Sequence, residues 1–249
     1  MGNGIWILCE PSLDEQFGTM SRAVCQKGET INANWMSSLT RYEFSGNVYY
    51  IKTYASRGRG LRRWLGRSRL RAEWENLQLF ARIGIATAQV VAYGERGAKN
   101  YQGAIVTRGL ARTRDLASLA RETNPVLRNR SWLLGVISRL SKAVRTLHKA
   151  GFVHTDLKWR NILAELEVDP DEGMPRVYLI DCPMGRVLWG PLLGRGIVKD
   201  LACLDKVAKR ILSKTDRLRF YLAYSNRDRL WDNDKVKIRK ILRFFPPHD

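Results

Sequence analysis

Four side chains have the types and the intervals needed to move a phosphoryl group. Asp156, Lys158 and Asn161 fall within His154-Thr155-Asp156-Leu157-Lys158-Trp159-Arg160-Asn161. Asp181 closes the apolar run Val177-Tyr178-Leu179-Ile180, twenty residues after Asn161. Transfer from a nucleoside triphosphate requires a carboxylate to orient the attacking hydroxyl, ligands for Mg²⁺, and a cation against the charge on the group in flight. Asp156 suits the first role, Asn161 and Asp181 the second, and Lys158 the third. The interval from Asp156 to Asn161 matches an established phosphoryl-transfer loop. Each of these residues alone would be an ordinary surface polar group. A plain charged loop, however, does not account for an apolar strand that ends in an acid.

These residues need elements to hold them. Asn129 to Lys149 predicts an amphipathic helix with the stripe Leu133, Val136, Ile137, Leu140, Val144 and Leu147, ending at Gly151. It delivers Phe152-Val153-His154 into the loop. Ile162–Ala164 and Val177–Ile180 read as a β-pair joined by the turn cluster Asp169 to Gly173, which would put Asn161 and Asp181 at one end. Earlier in the chain, Tyr42 and Phe44 alternate with polar residues, Gly46-Asn47 marks a tight turn, and Val48 to Tyr54 forms a strand carrying one lysine, Lys52. On alternation alone Lys52 could equally be an outward-facing residue. The next helix, Ser68 to Arg82, supplies context. Its stripe is Leu70, Trp74, Leu77, Phe80 and Ala81, and Glu73 falls on it while Glu75 points away. A carboxylate on a core-facing stripe is costly unless a cation meets it, and Lys52 is the available partner. Strands at 89–94 and 103–108 follow. Gly109-Leu110 then breaks the pattern before a short helix that begins at Thr113. That break predicts a hinge whose backbone, Arg108, Gly109 and Leu110, lies against an adenine ring. Helices are expected from Asp200 to Leu212, Thr215 to Tyr224 and Asp234 to Phe245. The basic face of the last reads equally as solvated or as a binding surface.

Bulk properties bound the function. The 249 residues carry a net charge of +19, which implies a polyanionic partner such as nucleic acid, an anionic membrane face or a phosphorylated substrate. Seven arginines and no acid lie between Arg57 and Arg71, a basic loop where each cation near an anionic leaflet contributes roughly 1 kcal/mol. No apolar run reaches the ~18 residues of a membrane-spanning helix. The start shows no secretory signal, and Trp6 stands where a myristoylation motif needs Ser or Thr, so a cytoplasmic chain is expected. Cys9, Cys25, Cys182 and Cys203 lack paired spacing and read as free, mostly buried thiols. A zinc site is improbable with three histidines.

From about Tyr49 to Asp205 the chain resembles the protein-kinase-like superfamily. The likeness is carried by Lys52, by Glu73 with Leu77 and Phe80 behind it, by Leu147-His148, by His154 to Lys158, and by Asn161 and Asp181. It implies an α+β bilobal fold: a small antiparallel β-sheet lobe with one key helix, residues 1–108, and a larger, mostly helical lobe, residues 109–249. It also implies ATP and Mg²⁺ as cofactors, with Lys52 on the phosphates, Glu73 positioning Lys52, His154 bracing the loop and Asp200 accepting backbone N–H groups from it. There are departures. No Gly-rich loop precedes Lys52, and Asn32 to Ser38 holds no glycine. Thr155 replaces the usual Arg, and Cys182-Pro183 replaces the usual Phe-Gly. Only eighteen residues lie between Asp181 and Asp200, expected to head the next helix. That leaves little room for a peptide-docking platform and disfavours a protein substrate.

Within the superfamily the chain is similar to bacterial lipopolysaccharide kinases, the Kdo and heptose kinase (WaaP/InaA-type) group. The similarity rests on the Arg-rich stretch running into Ala72 to Leu77, on Gly84 to Gly94, and on Lys199 to Asp205. It implies phosphorylation of a sugar hydroxyl of the inner core, on a lipopolysaccharide core glycolipid, at the cytoplasmic face of the inner membrane, with no nucleic acid involved. Two rivals stand beside it. One is an aminoglycoside-type phosphotransferase, whose cationic substrates suit a basic surface poorly. The other is a catalytically silent polyanion-binding scaffold.

Overall fold

The computed structural model describes residues 4–58, 66–97, 100–168 and 173–245. Arg59, Arg62 and Arg63 of the basic stretch, and residues 169–172 of the expected turn, lie outside them. The chain forms two compact units: Met1–Leu79 with Ala88–Ala111, and Phe80–Thr87 with Arg112–Asp249.

Unit 1 is built on an antiparallel sheet of β1 (Ile5–Leu8), β2 (Glu29–Ala33), β3 (Ser37–Phe44), β4 (Asn47–Tyr54), β5 (Val90–Arg96) and β6 (Gln102–Arg108), in the order β1-β5-β6-β4-β3-β2. The β3–β4 turn is Ser45-Gly46, one residue earlier than the sequence suggests. Both have positive φ, 48° and 73°, as a two-residue turn matched to strand twist requires. The short helices α1 (Asp14–Phe17) and α2 (Met20–Cys25) pack onto the sheet, and Phe17, Ala23, Tyr49, Ile51, Val91 and Val106 share one core. Helix α3 (Arg69–Arg82) starts here, with Ser68 accepting the Arg71 N–H. Its Trp74 ring stacks on Tyr93 at 4.5 Å between centroids. Leu70 and Leu77 are buried as the stripe requires, whereas Ala81 faces outward.

Unit 2 contains β7 (Thr113–Asp115), α4 (Leu116–Arg121), α5 (Arg130–Lys149), β8 (Phe152–Val153), β9 (Ile162–Glu165), β10 (Val177–Leu179), β11 (Arg186–Val187), α6 (Gly190–Ile211), α7 (Lys214–Ser225) and α8 (Asp232–Arg243). The strands form the ladders β10-β9-β7 and β11-β8. Thr113–Asp115 is therefore strand, not the start of a helix; Asp115 instead caps α4, accepting the Ser118 N–H at 2.8 Å. Asn129 caps α5, and every residue of its expected stripe is buried. Gly151 follows with φ 69°, a left-handed turn that glycine makes without steric cost. Helix α6 begins ten residues before Asp200, which therefore lies within the helix and not at the head that the sequence suggests. Between α5, α6, α7 and α8 lies an apolar cavity of about 430 Å³, lined by Trp132, Leu140, Trp159, Leu204, Tyr221 and Ile241 among others. Cys182 and Cys203 are buried, but Cys9 and Cys25 are exposed, against the expectation of mostly buried thiols.

Candidate active site

In unit 1, Lys52 on β4 meets Glu73 on α3, with its ammonium 2.9 Å from each carboxylate oxygen. The side chains are 19% and 7% exposed, so most of the pair is withdrawn from water. Glu75 is engaged elsewhere, by Arg67 at 2.7 Å and Arg71 at 2.8 Å. A third group, Tyr54, donates its hydroxyl to Glu73 Oε2 at 2.6 Å, and its ring lies 5.5 Å below the Lys52 ammonium. Tyr54 is two residues beyond Lys52, on the same strand face by the period of two; that spacing was the signal for it. The β2–β3 turn lacks glycine and is held by Asn34, whose side-chain oxygen accepts the Met36 and Ser37 N–H groups at 2.9 and 3.1 Å. Arg108 Nη2 donates to both carboxylate oxygens of Glu10, at 2.6 and 2.7 Å. Its backbone N–H is bonded to Gln89 O, and the Gly109 N–H to Val48 O. A side chain at Gly109 would meet Val48 at 2.9 Å. The donors at 108 and 109 are thus used within unit 1.

In unit 2, the stretch from His154 to Asn161 leaves β8 and is fixed from behind by buried Asp200 on α6. Asp200 Oδ2 accepts the His154 N–H at 2.7 Å, and Oδ1 accepts the Thr155 N–H at 2.8 Å. Oδ2 also lies 3.3 Å from His148 Nε2, while His148 Nδ1 meets the Tyr224 hydroxyl at 2.9 Å. These bonds hold Thr155 at φ 67°, a conformation rare for a β-branched residue; such outliers persist where surrounding contacts over-determine them. The His154 ring is fully enclosed, and neither nitrogen makes a well-formed hydrogen bond. Burial holds its pKa below the ordinary imidazole value, against the opposing charges of Asp200, Asp181 and Asp156. Burial therefore favours the neutral form of this enclosed ring.

Asp156 follows. Lys158 Nζ lies 2.6 Å from Oδ1, and Arg160 lies 3.2 Å from Oδ2. Burial pushes this carboxyl up, but the hydrogen bond and charge of Lys158, with Arg160, outweigh it and hold Asp156 below the usual carboxylate range. The Asn161 side-chain N–H donates to the Asp156 backbone carbonyl at 2.8 Å, which turns the amide oxygen away from that contact. The Ile180 N–H donates to Asn161 O at 3.0 Å, so the β9–β10 ladder carries Asn161 and Asp181 to the same end. Asp181 has φ 55°, a left-handed conformation uncommon for a residue other than glycine. The buried Cys182 thiol approaches the His154 carbonyl at 3.8 Å. One amide oxygen and one carboxylate are hard oxygen donors. They suit Mg²⁺, which keeps water and substrate phosphate among its ligands. Among the described residues no cluster of three or more His, Cys, Asp or Glu forms a metal cage.

Comparison with known proteins adds the following. The model of the family described as "Lipopolysaccharide kinase (Kdo/WaaP) family" matches residues 15–224. The chain is 31% identical over 216 residues to the lipopolysaccharide core heptose(I) kinase WaaP of Pseudomonas aeruginosa, spanning 82% of this chain and 75% of that protein. Its structure resembles that of WaaP in complex with acyl carrier protein, with a TM-score of 0.72, 26% identity, and coverage of 97% of this chain and 99% of that one. It also resembles the Rio2 kinase of Chaetomium thermophilum, with a TM-score of 0.52, 13% identity, and coverage of 90% and 75%. The last likeness speaks to the fold alone, a kinase-like α+β architecture.

Proposed function

This chain belongs to the lipopolysaccharide kinase (Kdo/WaaP) family, and from that premise we propose how its residues divide the work. It is an ATP-dependent kinase of a lipopolysaccharide core sugar; an inner-core heptose is the acceptor favoured by the name of its Pseudomonas relative. The observation that carries the chemistry is Asp156, an ionised carboxylate on a loop clamped by Asp200 and flanked by cations. Asp156 orients the acceptor hydroxyl and takes its proton. Lys158 offsets charge on the γ-phosphoryl group. Asn161 and Asp181 would hold Mg²⁺, which neutralises phosphate charge when bound. In unit 1, Lys52 would bind the ATP phosphates, positioned by Glu73. The adenine would lie along Arg108, Gly109 and Leu110, with backbone carbonyls as the polar partners. Nucleotide binding thus falls to unit 1, residues 1–79 with 88–111, and catalysis to unit 2, residues 80–87 with 112–249.

The test is transfer of labelled γ-phosphate to a panel of acceptors. Transfer to core oligosaccharide, with none to aminoglycosides, is expected. Preference for an aminoglycoside, or polyanion binding with no transfer to any acceptor, would replace this reading with a rival.

Two partners follow. No helix among the described residues is long and apolar enough to cross a membrane, so contact with the anionic cytoplasmic face of the inner membrane would be peripheral. The solved WaaP is a complex with acyl carrier protein, and this chain would take such a partner, its apolar cavity of about 430 Å³ admitting an acyl chain. Stabilisation by acylated carrier protein, but not by the unacylated form, is the expected result; equal effects of both would remove the cavity from the reading.

A further inference from the structure

The chain between Asp181 and Asp200 carries a concentration of exposed apolar side chains that catalysis does not use. Trp189 is 76% exposed, the highest value for a large apolar residue among the described ones, and Leu192 is 65% exposed. Val187 is exposed beside them, as are Arg186 and Arg195. Trp189 is the N-cap of α6, with extended backbone at φ −132° and ψ 161°, and Leu192 and Arg195, three apart in its first turns, are neighbours on the helix surface. From the cap into the helix the exposed order is aromatic, aliphatic, cationic. A Trp at headgroup level, an aliphatic side chain reaching the acyl boundary and a cation among anionic headgroups is the arrangement of an interfacial segment. The net charge of +19 has the sign that attracts such a surface.

This surface is rigidly connected to the catalytic loop. Strand β11 pairs with β8, Arg186 opposite Val153, immediately before His154. The Leu188 N–H donates to Gly151 O at 2.9 Å. The same helix that presents Leu192 carries Asp200, which clamps the His154 and Thr155 amides. Eight residues separate Leu192 from Asp200, about 12 Å along the helix axis.

We infer that the segment from Arg186 to Arg195 is the surface by which the protein enters the headgroup layer of an anionic lipid bilayer. It sets the catalytic loop a short oligosaccharide's length from the acyl chains. The inference rests on the reading that the acceptor is a lipid-anchored core glycolipid, and it names the face that meets the lipid.

The test uses the full chain and the double variant Trp189→Ser/Leu192→Ser. Binding is measured to vesicles of phosphatidylethanolamine with phosphatidylglycerol, and turnover on vesicle-embedded lipopolysaccharide and on its deacylated, water-soluble core oligosaccharide. The variant should bind vesicles about tenfold or more weakly. Its KM for the embedded acceptor should rise by about the same factor, with turnover of the soluble acceptor within about twofold of the parent. Unchanged vesicle binding would overturn the inference. So would equal losses on both acceptors, which would place the residues in the sugar subsite. Loss of a concentration-dependent dimer in the variant would also overturn it, by showing that a second copy covers the face. If the parent phosphorylates neither acceptor, the kinase reading fails, while the vesicle measurement still decides this surface.

Discussion

Lys52 and Asp156 each sit in an ion pair, and the two pairs are built in opposite ways. Lys52 and Glu73 are twenty-one residues apart in the chain and meet only after β4 and α3 have packed. Their carboxylate is 7% exposed and also bound by Tyr54. Asp156 and Lys158 are neighbours in one loop, 31% and 49% exposed, and need no tertiary structure to find each other. The first is a fixture whose loss the fold must feel. The second is a local pair that solvent reaches. Burial decides the difference: breaking a withdrawn pair strands a charge, at a cost of about 3–5 kcal/mol, whereas a solvated pair contributes about 0–1 kcal/mol.

That contrast has its largest consequence in a pair of variants. Asp156→Asn should lower kcat by about 10³-fold, within the range for loss of a general base, and leave the melting temperature nearly unchanged. Lys52→Met should cost on the order of 3 kcal/mol of stability by leaving Glu73 without its cation, a fall in Tm of roughly 6–12 °C, as well as raising the KM for ATP. Calorimetry beside steady-state kinetics checks both. An Asp156→Asn protein that melts early, or a Lys52→Met protein as stable as its parent, would break the comparison.

A smaller effect sharpens it. Tyr54→Phe keeps the ring under Lys52 and removes only the hydroxyl that Glu73 accepts. A hydrogen bond to a charged group contributes about 1.5–3 kcal/mol, part of which the Lys52 contact retains. The KM for ATP is expected to rise roughly three- to tenfold with kcat held within about twofold. A change in kcat with KM constant would mean that Tyr54 does not act through Lys52.

Local spacing made some of this legible in the sequence. The intervals within His154 to Asn161 are short and need no knowledge of packing, and the α5 stripe and its Asn129 cap state their own periodicity. Glu73 was separable from Glu75 because only one of them falls on the apolar stripe of α3. Other parts depended on tertiary contacts. Gly190, Pro191, Gly194 and Gly196 precede the helix start expected at Asp200, yet they form the first turns of α6. Gly196 is there because a side chain would meet Val153 at 2.7 Å, a close approach between elements forty-three residues apart that composition does not announce. Pro191 favours the helix start, where no N–H bond is lost. The Tyr54 hydroxyl was hidden for a related reason: strand alternation gives its face, but only packed α3 supplies the carboxylate it meets.

The last consequence separates Asp156 and His154 of unit 2 by pH. His154 is enclosed, and burial lowers its pKa despite Asp200, Asp181 and Asp156 nearby. The unfolded chain therefore takes up a proton on this imidazole near pH 6.5, while the folded chain does not. Stability contributed by the neutral ring is fully present above that pH and is lost as pH falls toward the folded pKa, by at most about 1.4 kcal/mol per pH unit. Asp156 is also depressed, but its window opens only below the ordinary Asp value, about pH 3.9. Between pH 6.5 and 5 the two do not overlap. His154→Leu keeps a filled, apolar site and removes the titration. Its melting temperature should decline less over that interval than the parent's, by at most roughly 3–6 °C per pH unit. Parallel melting curves for the two proteins between pH 7.5 and 5 would show that the acid sensitivity of this unit originates elsewhere than in the enclosed imidazole.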